Sequence, residues 1–504
     1  MTRLTRLTHR GGPWQGLRVL VTGLGRSGFA AADAASELGC RVVAVDSGES
    51  DQLQESRRLL QLLDVDVRLG PTAAAELSDA ACSADPRTAA AFWSEVDVVI
   101  TSPGWPPTAP LLAAAAQHGT PVWSEVELAW RMRPEHGAAP WLTVTGTNGK
   151  TTTVGMLEAI LRAAGLRARA CGNIGTPVVE VMLDTQPLDV LVVELSTFQL
   201  VRSPSLRPRA SACLNVGVDH LDWHGSLEAY VQAKGMVYQN TEVACVYNVQ
   251  DPTTERLVME ADVVEGCRAI GFTLGTPEPS MVGLVDDVLA DRAFVEERRT
   301  SAAELATLAD LQGESPTVAP HYVADALAAA ALARAHGVPP VAVRDGLRAY
   351  RPAAHRIAEV ATVDGVRYVD DSKATNPQAA AAAIAAFEHV VWVAGGQLKG
   401  ATVDDLVRGA VERLRGVVLL GQDRAVIADA LARHAPEVPV AEVDSTDTGA
   451  MDVVVEQARR LAQPGDVVLL APAGASWDMF SDYGARGDAF ALAVRRRASG
   501  EAGS

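Results

Sequence analysis

The chain has 504 residues, enough for about three domains at roughly 150 residues each. With 48% hydrophobic and 21% charged residues it has the make-up of a folded globular protein, which excludes a disordered chain. Its 62 acidic residues outnumber its 44 basic ones, for a net charge of −18. That excludes the global basic footprint of a nucleic-acid binder, so any anionic ligand must be met by a local site.

The opening MTRLTRLTHRGGPWQG has basic residues with no apolar stretch behind them, so it does not read as a secretory signal. No run of about 18 apolar residues predicts a membrane span. The six cysteines, at positions 40, 82, 171, 213, 245 and 267, contain no CxxC pair. They read as small buried hydrophobes of a reducing cytoplasm rather than as a zinc site or disulfide scaffold.

In chain order, LRVLVT (17–22), GLGRSG (23–28), an Ala-rich helix to Leu38 and the strand RVVAVD (41–46) open a parallel βαβ sheet. A helix and a variable loop are expected over 70–95. The strand VDVVIT (96–101) then runs into Ser102-Pro103-Gly104. RMRPEHGAAP (131–140) lacks periodicity and marks a domain boundary. A second unit starts at Trp141–Thr145, with a helix to Ala164, strands at Val190–Glu194 and Ala212–Asn215, and a long helix over 323–336. The pattern restarts after Arg351-Pro352, with strands at 366–369, 390–394, 417–420 and 467–471 between Ala-rich helices. The expectation is an α/β protein of three domains: a Rossmann-like domain over 1–137, a central P-loop-type ATPase domain with a mostly parallel sheet over 138–350, and a Rossmann-like C-terminal domain over 351–504.

Two glycine-rich turns carry the first chemistry. In Gly146-Thr147-Asn148-Gly149-Lys150-Thr151-Thr152, glycines bring backbone N–H groups to phosphate oxygens, Lys150 reaches the β- and γ-phosphates, and the Thr151 hydroxyl can ligate Mg²⁺. The strict Walker spacing would place Gly where Val144 stands, so this is a shorter variant. In Gly23-x-Gly25-Arg26-Ser27-Gly28, with Asp46 and Ser47 after the next strand, a nucleotide diphosphate fits the helix N-terminus; the signal for NAD itself is weak.

Glu194 ends a buried strand in ELSTFQL (194–200), and Asp219-His220 follows ACLNV. Mg²⁺ prefers oxygen ligands, which makes Glu194 the natural partner of Thr151. On composition alone Lys234, in YVQAKG, reads as a solvated helix lysine and His220 as a satisfied core histidine. His355-Arg356, DSKATN (371–376), GGQLK (395–399) and APAGASWDMF (471–480) lie at the carboxyl ends of strands, where open α/β sheets bind ligands.

Taken together, these motifs resemble the Mur ligase superfamily over nearly the whole chain. ELSTFQL and DSKATN are most similar to its D-glutamate-adding branch. The resemblance implies an ATP- and Mg²⁺-dependent amide ligase of peptidoglycan synthesis, joining D-glutamate to UDP-N-acetylmuramoyl-L-alanine through an acyl phosphate. It implies UDP-substrate contacts from Gly25, Arg26, Ser27, Asp46, Ser47, Ser102, Gly104 and Asn173. ATP contacts would come from 146–152, Arg356 and Asp371, and D-glutamate contacts from Lys373, Thr375, Lys399, Ser476 and Tyr483. Metal ligation falls to Thr151, Glu194, His220 and Lys234, the last matching the lysine that the family carbamylates with CO₂; Lys150, His220 and Lys234 are the implied catalytic set. A cytoplasmic monomer with small-molecule partners, no nucleic acid and no membrane insertion is expected.

The chain departs from the family's His-Asn-x-x-Asn at the adenine: here the segment reads His321-Tyr322-Val323-Ala324-Asp325. The alternatives are another Mur-type or folylpolyglutamate-type ligase, a nucleotide-binding regulator without activity, and a nicotinamide-dependent dehydrogenase, which would leave Lys150-Thr151 unexplained.

Overall fold

The computed structural model describes residues 3–184, 186–312, 318–352, 354–444 and 449–499; the ends of the first and last expected domains therefore lie outside the described residues. Three sheets carry the fold. The first is wholly parallel, in the spatial order Asp66–Leu69, Arg41–Asp46, Arg18–Thr22, Val98–Thr101, Val122–Ser124. The order in which strands are added reverses between Arg18–Thr22 and Val98–Thr101, a topological switch point. The helix Arg26–Glu37 packs close because Ala30, Ala31, Ala32, Ala34 and Ala35 are all buried. The expected helix and loop over 70–95 are two helices, Pro71–Ala81 and Pro86–Ser94, each with proline at its start.

The second sheet has nine strands. Trp141–Thr145, every residue of it buried, lies between Val190–Glu194 and Ala210–Cys213. Ala168–Gly172 forms one edge. On the other side Ala244–Asn248, Arg268–Thr273 and Met281–Val285 continue in parallel. Val288–Asp291 and Ala303–Thr307 close that edge antiparallel, an addition the sequence reading did not contain. The long helix is Pro320–Ala335; it is apolar all round and accordingly buried on every side from Ala326 to Ala333.

The third sheet runs Ala358–Val363, Val366–Asp370, Val467–Ala473, Val390–Gly395, Leu414–Leu420, Val440–Glu442, with only the first strand antiparallel. The first two sheets fall in one compact unit; the third forms another with Gly217–Asp222 and the segment ending at Tyr322. Within the first unit the core is continuous: Trp130 meets Trp141 edge-on at 5.0 Å, and the Ser124 and Ser203 hydroxyls share a 2.6 Å hydrogen bond.

The cysteines correct an expectation. Cys171, Cys213 and Cys245 are buried, but Cys82 is exposed and Cys40 and Cys267 are half-buried. Cys245 and Cys267 bring their sulfurs to 3.8 Å.

Candidate active site

At the switch point of the first sheet a cleft of about 420 Å³ is lined by Gly25, Arg26, Ser27, Asp46, Ser102, Gly104 and Trp105, with Gly23 and Pro103. Six of the eight expected UDP contacts are thus assembled there. Ser47 is not among the lining residues, and Asn173 belongs to the second sheet's loops. Trp105 was missed: nothing in SPGW marks its indole as a wall. A Cβ on Gly28 would stand 1.7 Å from Gly23 O, so only glycine lets the helix approach this turn. Gly25 has nothing within 4 Å of a built Cβ, leaving open space at the helix start. Asp46 uses both carboxylate oxygens to shape the turn, accepting Leu24 N at 2.7 Å and Gly48 N at 2.8 Å.

The phosphate loop joins Trp141–Thr145 to the helix Lys150–Ala163. Gly149 is left-handed at φ +83°, and a Cβ there would meet Asp325 Oδ1 at 2.2 Å. Asn215, at the end of the neighbouring strand, clamps the loop. Its Oδ1 accepts Asn148 N at 2.9 Å, its Nδ2 donates to Asn148 O at 3.1 Å, and its carbonyl accepts Thr147 N at 3.1 Å. Lys150 Nζ donates to Gly146 O (2.7 Å) and Thr147 O (3.0 Å), capping its own loop. Sequence reasoning missed Asn215.

Glu194 is almost fully buried, yet side chains hold its carboxylate: Thr151 Oγ1 donates at 3.0 Å to Oε2 and Asn173 Nδ2 at 3.0 Å to Oε1. Thr151 and Glu194, expected as joint ligands of Mg²⁺, are hydrogen-bonded directly to each other across 43 positions of sequence. Lys234 contradicts its reading from composition. It ends the helix Leu227–Gly235 only 2% exposed, its ammonium 4.6 Å from the centre of the Tyr230 ring. Tyr230 OH lies 3.0 Å from Thr147 Oγ1, tying that helix to the phosphate loop. Lys150 and Lys234 both act on the Cys213 thiol, which burial pushes up to about 12 against their pull.

His220 sits in the second unit, left-handed at φ +51°, with Asp219 Oδ2 3.5 Å from its Nε2. Among the described residues no three His, Cys, Asp or Glu side chains converge as a metal cluster.

In the third sheet the candidate loops follow three adjacent strands, Val366–Asp370, Val467–Ala473 and Val390–Gly395. Lys373 Nζ lies 3.8 Å from the centre of the Tyr483 ring, and Lys399 Nζ 4.9 Å from that of exposed Trp477. Thr375 N donates to Lys373 O at 2.8 Å, and Ser476 is buried one residue from Trp477. Arg486, to which the sequence reading gave no role, binds these loops together through Ser372 Oγ (3.0 Å), Ser372 O (2.8 Å) and Gly474 O (3.0 Å). Burial pushes the Asp371 carboxyl up to about 8, with Asp370 adding to it and Arg356 opposing it. His355 Nδ1 lies 2.6 Å from Asp370 Oδ2. Ile357, Lys399 and Ala473 are all left-handed, at φ +46°, +52° and +62°. Strain of this kind on non-glycine residues persists only where surroundings over-determine it, commonly at ligand sites.

Comparison with known proteins agrees with this geometry. Residues 144–333 match the family described as Mur ligase middle domain, and residues 355–474 that described as Mur ligase, glutamate ligase domain. The chain is 56% identical to the UDP-N-acetylmuramoylalanine--D-glutamate ligase of Streptomyces avermitilis, over 96% of this chain and 98% of the relative. The enzyme of the same name from Streptomyces coelicolor is 57% identical over the same shares. Among solved structures, UDP-N-acetylmuramate-alanine ligase MurC of Thermotoga maritima has a TM-score of 0.55 at 18% identity, covering 96% of this chain and all of that one. The MurF ligase of the same organism, solved with ADP, has 0.54 at 17% over 99% of this chain and all of that one. Matched by the two Mur ligase models over residues 144–333 and 355–474, and more than half identical to these ligases over nearly its whole length, the chain belongs to the Mur ligase family.

Proposed function

We propose that the chain joins D-glutamate to UDP-N-acetylmuramoyl-L-alanine at the expense of ATP, an amide-forming step of peptidoglycan synthesis. The observation that carries this is the phosphate loop with Lys150 and the Thr151–Glu194 pair, in a chain more than half identical over nearly its full length to ligases of that name. The division of labour follows the sheets: 1–137 for the UDP handle, 138–350 for ATP, 351–504 for the amino acid.

A carboxylate is a poor electrophile, and transfer of the γ-phosphoryl group to it gives an acyl phosphate. The amine of D-glutamate attacks the carbonyl, the tetrahedral adduct expels phosphate, and an amide remains. Lys150 turns from its loop carbonyls to the transferred group, while Asn215 fixes the loop's shape and the amides at the helix start meet the other phosphates, so that positioning and charge stabilisation supply the rate. Lys373, Thr375, Lys399, Ser476 and Tyr483 receive the amino acid, where two ammonium groups suit its extra carboxylate. Arg356 and Asp371 go to the nucleotide with the family assignment.

The donor set around Thr151 fits Mg²⁺: a hydroxyl and a buried carboxylate held by side chains, both hard oxygen ligands. When bound, the ion neutralises charge on the phosphoryl oxygens. His220 and Lys234 join the metal chemistry on the family assignment, Lys234 as a carbamate formed from its neutral amine and CO₂ with release of a proton. The reading carries a cytoplasmic monomer; no described helix is long and apolar enough to cross a membrane.

The test is amino-acid-dependent phosphate release with UDP-N-acetylmuramoyl-L-alanine. D-Glutamate should support it, and L-glutamate, L-lysine, meso-diaminopimelate and L-alanine should not; turnover with L-lysine would move the chain to another branch. Lys234→Ala should be nearly inactive and partly restored by formate or acetate. A free amine on Lys234 in the active enzyme, read by native mass spectrometry, would exclude the carbamate.

A further inference from the structure

Two arginines are buried to within a tenth of full exposure among the described residues, Arg202 and Arg486. Arg486 spends its donors on three acceptors of its own fold. Arg202 does not. It follows the short helix Thr197–Leu200, is 7% exposed, and makes one side-chain hydrogen bond, Nη1 to Trp105 O at 3.3 Å. Its guanidinium carbon lies 5.5 Å from the centre of the Trp223 ring. No carboxylate pairs with it among the described residues, and burial alone lowers its pKa, to about 10. A guanidinium has five N–H donors, and a buried charge without a counter-charge is costly. The remaining donors are not sealed, since neither Nε nor Nη2 is among the water-excluded side-chain atoms that lack a partner.

The backbone of Arg202 is fixed from two sides: its carbonyl accepts Ser124 N at 2.9 Å, and its N–H donates to Gln199 O at 3.1 Å. Its one acceptor, Trp105, is a wall of the first-sheet cleft. On its other flank lies an aromatic cluster that runs towards the phosphate loop. Phe198 and Trp223 are 4.6 Å apart, His224 is 5.2 Å from Tyr230, and Tyr230 reaches Thr147. An unpaired cation thus stands between the cleft and the phosphate loop, with open donors.

We propose that Arg202 is a positioning and specificity residue for the anionic sugar nucleotide, giving its free N–H donors to an oxyanion of that substrate. The inference rests on the ligase reading above for the identity of the substrate. The oxyanion is either a diphosphate oxygen or the carboxylate at the far end of the chain. Both are acceptors a planar guanidinium binds through paired hydrogen bonds.

The experiment is calorimetric titration of full-length wild type, Arg202→Met and Arg202→Gln with UDP, UDP-N-acetylglucosamine and UDP-N-acetylmuramoyl-L-alanine, alongside steady-state kinetics. We expect the variants to bind the full substrate about 10- to 100-fold more weakly, as for loss of a hydrogen-bonded charge. The KM for ATP should stay at the wild-type value, and affinity should fall less steeply with salt than in the wild type. If UDP and UDP-N-acetylglucosamine weaken equally, the oxyanion is the diphosphate; if only the full substrate weakens, it is the carboxylate. Arg202→Gln keeps a donor for Trp105 O without the charge, so it decides the matter should Arg202→Met fail to fold. Wild-type affinity for all three ligands in the folded variants overturns the proposal and leaves Arg202 as packing against Trp223. Absence of D-glutamate ligation by the wild type would instead strike the ligase reading, whatever the variants bind.

Discussion

The two glycine turns of the first unit are built alike and equipped differently. Each joins a buried central strand to a helix N-terminus, where the backbone favours anions. Each has an acid nearby. Asp46 gives both oxygens to backbone amides, Leu24 N and Gly48 N, so its carboxylate shapes the turn. Glu194 is held instead by two side chains, Thr151 and Asn173. The phosphate loop also has Lys150 resting on its own carbonyls. The same strand–turn–helix unit therefore has an acid spent on its own backbone in one place and an acid held by side chains beside a lysine in the other. The difference lies in what the acid is spent on.

The sharpest break is Lys150→Ala. It removes the cation facing the transferred phosphoryl group and should cost ~10²-fold or more in turnover with the fold retained. Near-normal turnover would show that the phosphate loop is only a turn.

The two acids test the contrast itself. Glu194→Gln should raise the Mg²⁺ concentration needed for half-maximal activity by about 10- to 100-fold while leaving the melting temperature close to wild type. Asp46→Asn should lower the melting temperature and leave the Mg²⁺ titration alone. Magnesium titrations and thermal melts of both variants read this directly; a displaced Mg²⁺ curve for Asp46→Asn would erase the distinction.

Much of this contrast was legible in sequence. GLGRSG before a helix and GTNGKT after LTVT state both turns. Strand identity was legible too, because parallel strands buried on both faces read as continuous apolar runs. Other parts depend on tertiary contact and leave no local mark. Asn215 clamps the loop from a strand whose own sequence says only that it is buried. Lys234 looks like any helix lysine until the neighbouring elements cover it. Asn173 donates to Glu194, a contact that nothing in GNIG announces. The antiparallel strands Val288–Asp291 and Ala303–Thr307 are short and mixed in polarity, so no period announced them.

Glycines within one turn separate packing from access. Gly28→Ala puts a methyl group 1.7 Å from Gly23 O and should destabilise by about 3 kcal/mol, as for an overpacked core. Gly25→Ala meets nothing within 4 Å and should change stability by less than about 0.5 kcal/mol, while weakening the sugar nucleotide by standing where the diphosphate approaches the backbone. Chemical denaturation and ligand titration of the pair separate the two effects. Equal loss of stability would show that the open space at Gly25 is filled in solution.

The last test concerns the seam between the two sites. Glu125 opens the helix Glu125–Arg131 beyond the last strand of the first sheet, and its Oε1 accepts Val179 N at 2.8 Å from the helix Val178–Leu183. Its Oε2 is sealed and has no partner. Burial pushes this carboxyl up to about 7, with Glu180 adding to it and the Val179 and Val178 amides opposing. The unfolded chain releases the same proton near 4.5, the ordinary glutamate value. Below that pH both states hold the proton and the group costs nothing. Between about 4.5 and 7 only the unfolded state ionises, so the wild type loses stability steadily as pH rises; above about 7 the folded state ionises too and the loss levels off. Glu125→Gln mimics the neutral acid at every pH, and its advantage over wild type should grow across that window to on the order of 3 kcal/mol, then stay flat. Denaturation midpoints at pH 4.5, 6, 7 and 8 measure it. A constant difference between the two proteins across that range would mean that water reaches Glu125 and that the seam carries no buried acid.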